Sequence, residues 1–323
     1  MTVASPTPLR VALLGTGWIM DFHARAAREH PDAEPVAAAN WREPSLAKLA
    51  ERYGIPRTTT DWRTLVADPT VDAAVIGTPN ALHAEQAIAF LEAGKHVLVE
   101  KPMARTLAEA DAMVQAARGS GAWLMVAHCW RFHPEVRGVR ARIEAGELGE
   151  IVKTRSYGVH ARWGPAGWFT DPVLAGGGAL LDMGVHAIDT TRYLLGDPEP
   201  VSVCAAIGTR YGSYAVDDDA ILLVTWSNGS NSIVEAGWWQ PHLGGLEADT
   251  ELYGTGGYTR VWGFTEPPEG YEHCNQPMYS AQFAEFVGAV AAGRQPRPSG
   301  EDGRVVMQVV ERAYAAAGGR VRL

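Results

Sequence analysis

The first part of the chain alternates short apolar runs with longer stretches whose apolar residues recur at helical spacing. Leu9-Arg10-Val11-Ala12-Leu13-Leu14, Pro35-Val36-Ala37-Ala38-Ala39, the run from Val71 to Gly77, His96-Val97-Leu98-Val99 and the run from Trp123 to Ala127 read as strands. Runs this short and this apolar suit strands buried on both faces. Between them, 18–29 and 81–93 read as helices, the second stopping at Gly94. Thr106 with Glu109 carries a capping-box signature that opens another. Strands separated by single helices predict a doubly wound parallel sheet with right-handed crossovers.

The rhythm changes after about residue 130. Helical spacing marks 135–145 and 179–195, and strand-like runs follow at 201–208, 220–226, 232–238 and 250–253. Ser227-Asn228-Gly229-Ser230 lies between two of these runs and predicts a hairpin, because Asn-Gly accepts the positive φ of a type I′ turn. Two further helices, near 278–292 and 302–317, are predicted at the end. The expected architecture is α/β: a parallel-sheet domain over 1–127, then an α+β domain over 128–323 with a large, mostly antiparallel open sheet. One face of that open sheet needs a cover, and a second subunit is one way to supply it.

A chain of 323 residues is long enough for two cores. A net charge of -9 argues against a nucleic-acid partner, which needs clustered Lys and Arg. Three widely spaced cysteines, Cys129, Cys204 and Cys274, suit a reducing compartment and offer no zinc-site spacing, so no metal is expected. Residues 1–10 lack a secretory pattern, and no apolar run approaches the roughly 20 residues of a membrane helix. The expectation is a cytoplasmic protein with no membrane partner.

Candidate chemistry falls at the predicted strand ends. Gly15-Thr16-Gly17 between a strand and a helix is a dinucleotide cradle: the glycines admit a pyrophosphate, and the helix start offers free N–H groups. Gly15, Gly17, Trp18 and Ile19 are the cofactor contacts expected there, with Met20 in place of the usual third glycine. The second strand ends at Asn40-Trp41-Arg42, without the ribose-binding acid of an NAD site. Asn40 can bond either ribose form, Arg42 can pair with a 2′-phosphate, and Trp41 can stack on adenine. The reading therefore leans to NADP over NAD. Further on, Gly176-Gly177-Gly178 leads into Asp182 and His186, an acid and an imidazole on one helical face at i and i+4.

Taken jointly, Gly15-Thr16-Gly17, Thr78-Pro79-Asn80 with His83, Glu100-Lys101-Pro102, Arg131-Phe132-His133-Pro134 and the run from Gly177 to His186 resemble the Gfo/Idh/MocA family of oxidoreductases. The resemblance spans almost the whole chain. It implies an N-terminal Rossmann domain and a C-terminal α/β domain whose open sheet often mediates homodimers or homotetramers. It further implies that Lys101, Asp182 and His186 are the catalytic trio, with Lys101 and Pro102 beside the nicotinamide. Thr78, Pro79, Asn80, His83 and Glu100 are then cofactor contacts.

The chemistry of the residues agrees. Oxidising a secondary alcohol requires a proton acceptor, for which His186 is the candidate. Asp182 would hold a substrate hydroxyl or bias the imidazole tautomer, and Lys101 would steady developing alkoxide charge. Trp163 and Trp168, with His128, Arg131 and His160, are the expected substrate wall, since indole packs on sugar C–H faces. His128 and Arg131 could equally be structural, with Arg131 paired to a carboxylate between domains. Trp238 and Trp239 read instead as core or interface residues. The expected function is hydride transfer between NAD(P) and a secondary alcohol or ketone of a sugar, sugar derivative or cyclitol. The alternatives are an NAD-dependent glycosidase of the same fold and a non-catalytic nucleotide-binding sensor.

Overall fold

A computed structural model describes residues 8–241, 247–261 and 271–319, the side chains of 271–275 excepted. The readings on Met1 to Thr7 and on the Cys274 thiol lie outside the described residues. Six short strands, β1 (Leu9–Leu14), β2 (Ala33–Ala39), β3 (Thr58–Thr59), β4 (Ala73–Ile76), β5 (His96–Glu100) and β6 (Leu124–Ala127), pair in parallel. Their order is β3-β2-β1-β4-β5-β6. The connections carry α1 (Trp18–Glu29), α2 (Glu43–Tyr53), α3 (Arg63–Val66), α4 (Asn80–Glu92) and α5 (Leu107–Ser120). Every residue of β4 and β6 is buried, as are all of β5 but His96 and the last four residues of β1, which suits their apolar runs. The strand order reverses between β1 and β4, and a crevice opens there at the carboxyl ends.

The second sheet runs β12-β11-β7-β10-β9-β8 and is antiparallel except where β7 meets β10. Its strands are β7 (Ile151–Ala161), β8 (Pro200–Gly208), β9 (Asp219–Trp226), β10 (Asn231–Gln240), β11 (Ala248–Gly254) and β12 (Gly257–Val261). The predicted hairpin joins β9 to β10, but Gly229 alone takes a positive φ (+86°) and Asn228 does not, so the turn is not the type I′ expected. The central strand β7 is absent from the expectations, and the packing explains why. Its inward side chains include Thr154 and Ser156, which hide no apolar stripe. Their hydroxyls are satisfied inside the sheet by Ser232 (2.7 Å) and Thr250 (2.8 Å).

Five more helices complete the molecule: α6 (Pro134–Glu144), α7 (Pro172–Ala175), α8 (Val185–Leu194), α9 (Tyr271–Ala291) and α10 (Gly300–Ala316). α8 lies on the inner face of the second sheet, against β7, β10 and β11. α9 returns to pack on α1, where Phe22, Tyr279, Phe283 and Phe286 are buried together. α10 is started by a Ser299/Asp302 capping box and bridges α5 and β8. The chain's end thus clamps both halves around the crevice. The outer face of the second sheet leaves Ile221, Leu223 and Val201 exposed.

Candidate active site

A cleft of about 950 Å³ runs along the carboxyl ends of β1, β2, β4 and β5 and continues under the second sheet. At its centre β1 turns into α1. Gly15 has φ +107°, and a Cβ there would lie 2.4 Å from the Gly77 carbonyl oxygen, so only glycine lets the two strand ends approach. Gly17, the α1 N-cap, faces open space and no side chain caps the helix. Bare N–H groups above an uncluttered turn fit a pyrophosphate. Met20 is fully buried with its methyl against Gly77, so the small residue this packing needs stands on the opposite strand end.

The cradle extends along β2. Asn40 Nδ2 donates to Ser45 Oγ at 3.1 Å, and Ser45 Oγ lies 2.9 Å from Thr16 Oγ1. The Arg42 guanidinium stacks on Trp41 at 4.4 Å from the ring centre, and Trp41 is 71% exposed. Asn40, Trp41, Arg42 and Ser45 all line the cleft, whereas the neighbouring Glu43 opens α2 and does not.

Beyond the pyrophosphate position, Trp18, Ile19, Thr78, Pro79, Asn80, His83, Glu100 and Lys101 also line the cleft. Several of them brace it as well. His83 spans the Thr78 carbonyl (2.8 Å) and the Pro102 carbonyl (2.9 Å), tying the ends of β4 and β5 together, and burial lowers its pKa. Asn80 Nδ2 donates to the Ala175 carbonyl at 2.9 Å, which ties the two halves together. Glu100 is nearly buried: one oxygen lies 2.7 Å from His23 Nε2, and the other accepts from the Lys101 backbone N–H at 3.0 Å.

Lys101 crosses the cleft to the other domain. Its Nζ donates to Asp182 Oδ1 at 3.1 Å and to the Asp182 carbonyl at 3.0 Å. The other carboxylate oxygen, Oδ2, accepts from His160 Nε2 (3.1 Å) and Trp238 Nε1 (3.0 Å). Both oxygens of Asp182 are therefore occupied by donors. Burial alone would raise its pKa, but the Lys101 ammonium and His160 outweigh burial and hold it well below the usual carboxylate range. For His160, burial works downward, yet Asp182 and Glu247 win and its pKa is raised. Its Nδ1 sits 3.7 Å from Glu247, a Coulombic distance rather than a hydrogen bond.

His186 lines the cleft beside Asp182 and Lys101, though it does not bond the carboxylate. The helix predicted over 179–195 begins as a π-helical turn, Leu180–Gly184, before α8. The π turn rotates the two residues relative to one another but leaves both on the cleft side. The Asp182 carboxylate bonds Lys101, His160 and Trp238 and makes no bond to His186. His186 stacks on Trp130 with ring centres 4.4 Å apart and planes 12° from parallel. Burial, then the charge of Lys101, lowers its pKa well below that of free imidazole, and the ring is neutral. The turn is held from outside the cleft: Asp217 accepts from the backbone N–H groups of Gly178 and Leu180, both at 2.9 Å. A Cβ on Gly178 would fall 1.8 Å from the Asp217 carbonyl oxygen, which is why glycine stands there.

On the substrate side, Trp163 and Trp168 line the cleft, but His128 and Arg131 do not. The 3-10 turn Cys129–Phe132 directs Cys129 and Trp130 to the cleft and Arg131 behind it. There Arg131 makes a bidentate pair with Asp189, both bonds 2.7 Å, and His128 lies 3.9 Å from the same carboxylate. These two residues are therefore internal struts and not pocket wall. Trp130 and Phe169 complete the site unforeseen, and Trp238, read as core or interface, is fully buried and reaches the site through its indole N–H. Trp238 carried a readable signal: it alternates with the buried Ala236 and Val234 on β10, the face that meets the π turn. Burial pushes the Cys129 thiol up to about 12, which removes it as a nucleophile at neutral pH.

The geometry has parallels in known proteins. A family model described as "Oxidoreductase family, NAD-binding Rossmann fold" matches residues 9–128, and a GFO/IDH/MocA C-terminal domain model matches 136–260. Levoglucosan dehydrogenase from Pseudarthrobacter phenanthrenivorans is 35% identical over 266 residues, covering 71% of this chain and 67% of the relative. 1,5-anhydro-D-fructose reductase from Ensifer adhaerens is 33% identical over 310 residues, covering 91% and 92%. Among solved structures, a levoglucosan dehydrogenase in complex with NADH and levoglucosan superposes with TM-score 0.84 at 28% identity, over 98% of this chain and 100% of that one.

Proposed function

The chain belongs to the Gfo/Idh/MocA oxidoreductases, and from that premise we propose that it interconverts a secondary alcohol and a ketone on a sugar, sugar derivative or cyclitol with NAD(P). The observation that carries this reading is the meeting of Lys101, from the end of β5, with Asp182 of the opposite domain over the mouth of the dinucleotide cradle. In this reading residues 1–127 hold the cofactor and 128–323 shape the substrate side.

The nicotinamide, when bound, supplies the hydride acceptor or donor. The chain's own residues handle charge and protons. Neutral His186 takes the hydroxyl proton in oxidation and returns it in reduction. Lys101 holds a fixed positive charge where alkoxide character develops. Asp182 stays ionised, fixes the Lys101 ammonium and favours the protonated form of His160. A panel of sugars, glycosides and cyclitols with NAD and NADP in parallel tests the reading by net cofactor reduction. Glycoside cleavage without net cofactor change would support a glycosidase instead, and binding without turnover a sensor.

A pH profile checks the assignment of His186. Its protonated form cannot accept a proton, and both burial and Lys101 disfavour that form. The acid limb of kcat/KM for alcohol oxidation should therefore fall below the ordinary imidazole range near pH 6.5. Lys101→Met removes a positive neighbour, so the residual activity of that variant should show the limb displaced to higher pH. An unmoved limb would assign the titration to another group.

The adenosine end leans to NADP, because Asn40, Ser45 and Arg42 offer donors and Glu43 does not line the cleft. Arg42→Ala should raise KM for NADP by about tenfold and leave KM for NAD much less affected, the scale of one charge-assisted phosphate contact. Equal effects on both would remove Arg42 from a 2′-phosphate site. Two free cysteines, Cys129 and Cys204, fit a cytoplasmic setting, and no helix among the described residues is long and apolar enough to cross a membrane. We assign homodimer or homotetramer formation to the outer face of the second sheet around Ile221 and Leu223. Sedimentation of Leu223→Asp should report a smaller species than the parent; an unchanged species would place the contact elsewhere.

A further inference from the structure

The substrate end of the cleft is polar in one corner and mainly apolar elsewhere among the described residues. Lys101, Asp182, His160 and His186 make the polar corner. Away from it the wall is built by Trp163, Pro165, Trp168, Phe169 and Leu174. The indole N–H of Trp163 is already spent on Glu247 at 2.7 Å and one side of its ring packs on His160 (ring centres 3.7 Å apart), so it offers a substrate only its remaining apolar surface. Trp168 and Phe169 stack at 4.0 Å and 26°, which makes one continuous platform. Trp163 and Leu174 nevertheless remain 41% and 37% exposed, an apolar surface left facing the cleft mouth.

The platform is fixed in place. Asp171 caps α7 by accepting from the N–H groups of Val173 and Leu174. Arg105 Nη1 donates to the Val173 carbonyl (2.9 Å) and Asn80 to that of Ala175, so the segment is held to the cofactor domain at two points. A preformed apolar platform requires no ordering when a ligand arrives.

Two facts then select the substrate. The polar corner is small enough to serve the reacting hydroxyl and a neighbour or two, because the Asp182 carboxylate already accepts three side-chain hydrogen bonds. A free hexose or cyclitol could lay a C–H face on these rings, but beyond the polar corner its outward hydroxyls would meet few donors or acceptors, and the rings reward an apolar ring more than a hydroxylated one. We propose that the chain acts on a glycoside with an apolar, ring-sized aglycone, the sugar turned to Lys101 and His186 and the aglycone packed on Trp168, Phe169 and Leu174. This inference rests on the dehydrogenase reading above.

The test compares phenyl and methyl glycosides of the same sugars, as both anomers, with the free sugars and myo-inositol, using NAD and NADP. In the unaltered protein kcat/KM for the best phenyl glycoside should exceed that of its methyl counterpart by about tenfold or more, the scale of burying one aromatic ring. Trp168→Ala should bring that ratio close to one. A methyl glycoside or free polyol turned over as well as the phenyl compound would overturn the inference while leaving the dehydrogenase reading intact. So would a Trp168→Ala variant whose ratio is unchanged. No cofactor reduction with any sugar would defeat the parent reading and this inference with it.

Discussion

Replacing Lys101 by methionine should lower kcat by about 100- to 1000-fold, the cost of deleting one preorganised donor from a charge-stabilising site. Methionine keeps most of the stem volume and removes only the ammonium. The cofactor should still bind within a few-fold of its parent affinity, because the Gly15–Gly17 cradle and the β2 end lie apart from the Nζ position. The split matters more than the size of the loss. Lys101 is bound to Asp182 by two contacts, at 3.0 and 3.1 Å, and its removal also leaves that buried carboxylate with His160 and Trp238 as its donors. If Asp182 served only to anchor a structural lysine, the variant would lose stability and keep its turnover per folded molecule. Turnover corrected for folded fraction, beside cofactor titration by fluorescence quenching, separates the two.

The largest stability effect is expected behind the site. Asp189→Asn should cost about 3–5 kcal/mol of unfolding free energy, because it leaves the Arg131 guanidinium buried without its bidentate partner. Asp197, 3.1 Å away, is a partial substitute, but its side chain is about a quarter exposed. Denaturant unfolding of Asp189→Asn, Arg131→Met and the double variant checks the claim. The double variant should be less damaged than the two single losses summed, since a buried charge without a partner costs more than a buried apolar pair. Strict additivity would mean the two residues act independently. In the Arg131→Met variant the pH profile should keep its shape, as Arg131 does not line the cleft.

The sequence was most legible where burial is complete. β1, β4, β5 and β6 are buried nearly throughout, so their apolar runs stand out from any context. The Gly15 turn was legible because backbone approach to Gly77 excludes any Cβ, and that exclusion is written directly as glycine. β7 was not legible, since its buried Thr154 and Ser156 find hydroxyl partners on β10 and β11 that no local pattern reveals. The spacing of Asp182 and His186 pointed to one helical face. What it could not show is that a π turn at Leu180–Gly184, braced by Asp217 37 residues beyond Leu180, opens this helix, and that the carboxylate bonds His160 while the imidazole stacks on Trp130. Lys101 and Asp182 are brought together by tertiary contact across 81 residues, and only the motifs on either side hinted at their meeting.

The central claim is that a hydrogen leaves a ring carbon of a sugar for the cofactor in the cleft between Lys101 and His186. Its most direct test uses a glycoside deuterated at each ring C–H(OH) carbon in turn, with the oxidised cofactor, followed by mass spectrometry of the reduced nicotinamide. The account predicts one substrate in the series that delivers one deuterium per reduced cofactor, with the label carried on the nicotinamide ring and turnover slowed for that substrate alone. Reduced cofactor without deuterium from any position, or oxidised sugar with the cofactor left unchanged, would contradict it.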